Sequence, residues 1–141
     1  MHKIPNCILL IDDDKSTNVY NAIVLEEAGV AENIRFAHNG VEALDYLKMN
    51  ATFEKNGGRY IKPDLILLDL KMPDMNGYEF LEEFEKIDEN LTSSSVVIML
   101  TTALNPRAKE SLEKVRSVQG FWNKPLDISS VKKMVGEYFK P

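Results

Sequence analysis

Three stretches of this chain, Cys7-Ile8-Leu9-Leu10-Ile11, Leu65-Ile66-Leu67-Leu68 and Val96-Val97-Ile98-Met99-Leu100, are apolar at every position. A strand with one wet face alternates apolar and polar residues, so unbroken apolarity over this length means a strand covered on both faces. Such strands belong to parallel sheets, whose neighbours must be joined by a crossover, normally a helix. The intervening sequence has the right signals. Ser16 or Thr17 can cap a first helix with Val19, Ile23 and Val24 on its apolar face and Gly29 at its end. Asn39-Gly40 opens a second, with Ala43, Leu44 and Leu47 on one face, and a third runs from about Gly77 through Phe80, Leu81 and Phe84. Asn105-Pro106 begins a fourth with Leu112 and Val115, and Asp127 or Ser129 starts the last, with Val131, Met134, Val135 and Tyr138. Ile34-Arg35-Phe36-Ala37 reads as an edge strand because a charge interrupts it, and Gly120-Phe121-Trp122 reads as a brief final strand.

Five strands alternating with five helices predict an α/β flavodoxin-like three-layer sandwich with strand order 2-1-3-4-5. The 141 residues fit one domain, with its core over about 5–140 and no effector domain. No apolar stretch approaches the roughly 18 residues that cross a bilayer, and the first residues lack a signal-peptide pattern, so a cytoplasmic location is expected. The lone Cys7 excludes an internal disulfide, and its apolar run predicts a buried, inert thiol. With 22 acidic against 17 basic residues the net charge is -5, which disfavours nucleic acid as a partner.

In sheets of this kind ligands bind beyond the carboxyl ends of the strands. Four strands end there in a polar residue: Asp12-Asp13-Asp14, Asp69, Thr101-Thr102 and Lys124-Pro125. Any one of these alone is an ordinary strand end or helix cap, but the strand order places all four on one edge. Clustered carboxylates repel one another unless a cation sits among them, and an all-oxygen set suits Mg²⁺ or Mn²⁺ rather than zinc. The only histidines, His2 and His38, are far apart and read as solvated. An ammonium and a hydroxyl beside the ion can hold phosphoryl oxygens, so the site reads as metal plus phosphate.

Ile11-Asp12-Asp13, Leu68-Asp69-Leu70-Lys71-Met72-Pro73-Asp74-Met75-Asn76-Gly77, Met99-Leu100-Thr101 and Lys124-Pro125 together resemble the receiver domain of two-component response regulators, over almost the whole chain. The resemblance implies that Asp69 takes a phosphoryl group from a sensor histidine kinase. It implies that Asp12, Asp13, Asp69 and the Lys71 backbone carbonyl hold Mg²⁺, Asp12 mainly through a water, and that Lys124 pairs with Asp69 and then with the phosphoryl group. Thr101 and Phe121 are implied as switch residues that change a surface made by the fourth helix, fifth strand and fifth helix. Such a protein is no enzyme beyond its own phosphorylation and dephosphorylation. Its expected partners are a sensor kinase or histidine phosphotransfer protein, a downstream protein target, and a second copy through that same surface, with no membrane contact.

Two positions depart from the family. Thr102 stands where a small residue is usual, and Lys71 occupies a variable position facing the site; both are expected to lengthen the life of the phosphorylated form. Trp122 is expected either in an exposed partner-binding face or under the last helix, and the Asn50–Pro63 segment as a long surface loop. Within the family, a phosphorelay shuttle or a receiver cut from a hybrid kinase are alternatives. From other classes come a pseudo-receiver, which the intact Asp12, Asp13, Asp69, Thr101 and Lys124 argue against, and a haloacid dehalogenase-like phosphatase. Asp12, Asp14 and Ser16 imitate the motif of the latter, but its later acidic pair is missing.

Overall fold

The computed structural model describes residues 4–48, 62–69, 77–87, 96–101, 110 and 117–139. Within them the order is β1 (Cys7–Ile11), α1 (Lys15–Ala28), β2 (Asn33–Ala37), α2 (Gly40–Lys48), β3 (Leu65–Asp69), α3 (Gly77–Glu85), β4 (Val96–Thr101), β5 (Val118–Asn123) and α4 (Ile128–Tyr138). The five strands are all parallel and lie in the order β2-β1-β3-β4-β5. Of the helix expected after Asn105-Pro106, only Glu110 is among the described residues, and it is helical. The expected loop over 50–63 likewise falls outside them except for Lys62 and Pro63.

The continuous apolar runs behave as both-face strands should. Ile8, Leu10, Leu65, Leu67, Ile98 and Leu100 point into one layer, where α1 and α4 close over them with Ala22, Leu25, Val131 and Met134. Leu9, Ile11, Ile66, Leu68, Val97 and Met99 point into the other, against Leu44 and Leu47 of α2 and Phe80 and Phe84 of α3. The two phenyl rings stack with centroids 5.8 Å apart. Cys7 is fully buried, as expected, and burial above all pushes its thiol up to about 11.

α1 departs from expectation. Val19 and Ile23 are 54% and 48% exposed, whereas Asn18 and Asn21 are buried beside Ala22, Val24 and Leu25. Positions 18, 21, 22 and 25 form the inward stripe at helical spacing, so the apolar residues at 19 and 23 fall about a quarter turn away. The cap also differs: Asp14, not Ser16 or Thr17, accepts from the backbone N–H groups of Ser16 and Thr17 at 2.9 and 3.4 Å. Gly29 closes the helix with φ 66°, the left-handed conformation glycine adopts without cost. In α4 the expected Asp127 cap is present as a reciprocal box with Ser130.

β5 starts earlier than expected and carries a bulge. Val97 pairs with Val118 but Ile98 with Gly120, leaving Gln119 as the extra residue. Val118 and Phe121, an odd number of residues apart, therefore face the same layer. At the amino end of the sheet, Asp64 joins three strands. Its carboxylate accepts from the N–H groups of Asn6 and Cys7 at 2.9 and 3.0 Å, and its carbonyl accepts from Val96 at 2.9 Å.

Candidate functional site

The parallel sheet delivers β1 and β3 to the same edge, and the residues at their ends are acidic. Asp12 follows β1 directly and Asp69 is the last residue of β3. One carboxylate oxygen from each of Asp12, Asp13 and Asp69 lies within 4.8 Å of the others. Asp12 is buried, Asp69 half-buried and Asp13 exposed, so the cluster opens to solvent through Asp13. Three oxygens this close, with no His or Cys among them, match the donor set of a hard divalent cation. The residues present therefore fit Mg²⁺ or Mn²⁺.

β5 brings the counter-charge. Lys124 Nζ lies 2.6 Å from Asp12 Oδ2 and 3.4 Å from Asp69 Oδ1. The closer partner is Asp12, whereas the resemblance pairs this lysine with Asp69. Burial alone would lower the Lys124 ammonium, but its hydrogen bond to Asp12 and the charges of Asp69 and Asp12 outweigh that and hold it above the ordinary lysine value. The other Asp12 oxygen accepts from the Asp14 N–H at 3.0 Å, so both are occupied by donors.

Thr101 ends β4 at the same edge, in register with Asn123 of β5. Its side chain, and Lys71 and Thr102 entirely, lie outside the described residues. Phe121 sits in register with Met99 and packs partly buried on the α2–α3 layer. Trp122 packs partly buried against the opposite layer, the one that α1 and α4 close. His38 pairs at 3.2 Å with Glu42 on the surface and joins no metal cluster among the described residues.

Two contributors were not singled out from the sequence. The buried Asn18 amide donates to the carbonyls of Asp12 and Ala37 at 3.1 and 3.4 Å. Tyr20 donates its hydroxyl to the Leu126 carbonyl at 2.8 Å, tying α1 to the segment that follows Lys124. Neither was marked in the sequence, because the apolar face of α1 was read from Val19, Ile23 and Val24, and a lone Asn or Tyr beside it reads as a surface residue.

Residues 8–136 match the response regulator receiver domain family. The chain is 30% identical over 131 residues to the sporulation initiation phosphotransferase F of Bacillus subtilis, covering 93% of this chain and 91% of that one. It is 29% identical to a probable methanogenesis regulatory protein of Methanothrix harundinacea, FilR2, over 94% of this chain and 81% of the other. Among solved structures it resembles a two-component response regulator from Legionella pneumophila, with TM-score 0.75, 32% identity and 92% and 94% coverage. Another from Cytophaga hutchinsonii gives TM-score 0.80 at 25% identity, covering 96% and 97%. Fold, acidic edge and likeness agree, and the chain belongs to the response regulator receiver domain family of two-component systems.

Proposed function

We propose that this chain is a phosphoacceptor: Asp69 takes the phosphoryl group of a phosphohistidine on a sensor kinase or phosphotransfer protein. A carboxylate oxygen attacks phosphorus, the P–O bond of an acyl phosphate forms, and the P–N bond breaks to release the imidazole. The observation that carries this reading is the convergence of Asp12, Asp13 and Asp69 within 4.8 Å beside the Lys124 ammonium. Mg²⁺, held by Asp12, Asp13, Asp69 and the Lys71 carbonyl, would supply charge neutralisation among these carboxylates and the incoming oxygens. Phosphorylation adds about 1.5 to 2 negative charges in most modified residues. Lys124, shared between Asp12 and Asp69, is the cation positioned to shift toward them.

A contact that exists only in the phosphorylated form biases the protein toward a second conformation by the energy of that contact. The Thr101 hydroxyl at the end of β4 would supply it. Phe121, on the neighbouring strand, would follow by turning inward and alter the surface of the predicted fourth helix, β5 and α4, through which a protein target or a second copy is engaged. Beyond its own phosphorylation and dephosphorylation the chain would catalyse nothing. Val19, Tyr20 and Ile23 stand exposed on α1, which begins beside the acidic turn. They support docking of a donor through apolar contact there. The likeness to a protein named a phosphotransferase favours, as a second reading, onward transfer to a histidine protein.

Incubation with acetyl phosphate and Mg²⁺, read by intact-protein mass spectrometry, tests the proposal. One added phosphoryl mass that requires Mg²⁺ and disappears in Asp69→Asn is expected. An unlabelled wild type would return the chain to the pseudo-receiver reading, and label lost specifically through Asp12→Asn would favour phosphatase-like chemistry. The same labelled protein measures the contribution of Lys71 and Thr102, since Lys71→Ala and Thr102→Ala are expected to shed phosphate faster.

A further inference from the structure

The side chain of Asn18 is only 2% exposed, and it shares the inward stripe of α1 with Ala22 and Leu25. Burying an amide in such a layer is unfavourable unless its polar atoms are bonded, and the Asn18 Oδ1 has no partner among the described residues. An apolar side chain would avoid that cost. The two N–H bonds on the other side of the amide go to one place: Asp12 O at 3.1 Å and Ala37 O at 3.4 Å. The same Ala37 carbonyl accepts the Asp12 backbone N–H at 3.1 Å, and the Asn18 backbone N–H bonds the Asp14 carbonyl at 3.1 Å. The turn that carries the acidic residues is thus held from both flanks, through β2 and through one buried amide.

The Asp12 carbonyl lies in the same rigid peptide plane as the Asp13 N–H. Fixing that carbonyl fixes the direction in which the chain leaves toward Asp13, the exposed member of the three-carboxylate cluster. We propose that Asn18 is a positioning residue: its amide sets the Asp12–Asp13 peptide so that the Asp13 carboxylate meets those of Asp12 and Asp69 at a divalent cation. This rests on the phosphoacceptor reading above. It assigns to α1 a part in metal affinity that no carboxylate ligand supplies, because groups that orient ligands from behind typically set affinity within 10 to 100 fold.

Mg²⁺ itself is the probe. Calorimetric titration of wild type, Asn18→Ala and Asn21→Ala, with unfolding curves of each in chelator, separates positioning from stability. Asn21 is also buried in α1, so its loss provides the control for removing an interior amide. Asn18→Ala is expected to bind Mg²⁺ about tenfold more weakly or worse, with Asn21→Ala binding as wild type even where it unfolds as easily. The backbone amide resonance of Asp13, recorded without metal, is expected to move in Asn18→Ala and stay in Asn21→Ala. Should Asn18→Ala fail to fold, Asn18→Ser keeps one donor and is expected to give an intermediate affinity. Wild-type affinity in a folded Asn18 variant, or equal weakening in Asn21→Ala, would overturn the positioning role. A wild type that binds no Mg²⁺ would instead overturn the reading of the site beneath it.

Discussion

Asp13 is the exposed carboxylate of the cluster, and it sits within 4.8 Å of two others. Without a cation its charge opposes folding, so Asp13→Asn is expected to raise the melting temperature in chelator by about 2–4 °C. Addition of Mg²⁺ should then stabilise wild type and leave the variant nearly unchanged, which thermal scans with and without the ion will show. Lys124 acts in the opposite direction. Its side chain is 16% exposed and that of Asp12 5%, so Lys124→Met strands a buried carboxylate and should cost about 3 kcal/mol. Because the folded lysine is raised above its ordinary value, its stabilisation is complete below about pH 10.4 and is lost as pH climbs through the higher folded value. Urea unfolding of wild type and variant should therefore differ by a constant amount from neutral pH to about 10, then converge. Asp12, Asp69 and Lys124 were legible in the sequence because strand ends in a parallel sheet have a fixed address. Asn18 was not, because an asparagine on a helix reads as a surface residue until its partners are known.

At the scale of elements, what was legible is what periodicity and cap chemistry encode. β1 was read with the bounds it has, and Ala43, Leu44 and Leu47 of α2 and Phe80, Leu81 and Phe84 of α3 are buried as their spacing requires. The inward face of α1 was missed because its polar and apolar residues are mixed, and hydrogen bonding rather than hydrophobicity chose which face turned in. The bulge in β5 was missed because an extra residue leaves no mark on a short strand. Its neighbour Gly120 can be tested. A Cβ there would run into the hydroxyl of Tyr138, which donates to the Gln119 carbonyl at 3.1 Å. Gly120→Ala is expected to destabilise by about 1 kcal/mol, the low end for overpacking, because the atom that must give way is the outer end of the Tyr138 side chain. In the Tyr138→Phe background, which lacks that oxygen, the same change should cost less, and a double-mutant cycle that came out additive would reject the contact.

For the whole molecule, the docking proposed above would have a donor protein meet the exposed apolar residues of α1 as well as the acidic edge. Ile23, 48% exposed, stands eight residues along α1 from Lys15, roughly 12 Å of helix rise, so Ile23→Asp should leave labelling by acetyl phosphate as it is. Transfer from a phosphorylated kinase should fall tenfold or more if the donor seats on that stripe, as expected for losing a buried apolar anchor and adding a charge. Equal rates from both donors would remove α1 from the docking surface. The sheet itself also has unlike ends. Asp64 gathers the starts of β1, β3 and β4 into one knot of hydrogen bonds, while the finishes of β1 and β3 carry carboxylates that the Lys124 ammonium bridges. One end of the sheet is tied by backbone N–H groups donating to a single aspartate, the other by one ammonium lying between two carboxylates. An added cation or phosphoryl charge acts on the second tie and leaves the first as it is, so amide exchange is expected to change at the strand ends beside Asp12 and Asp69 and to stay constant around Asp64.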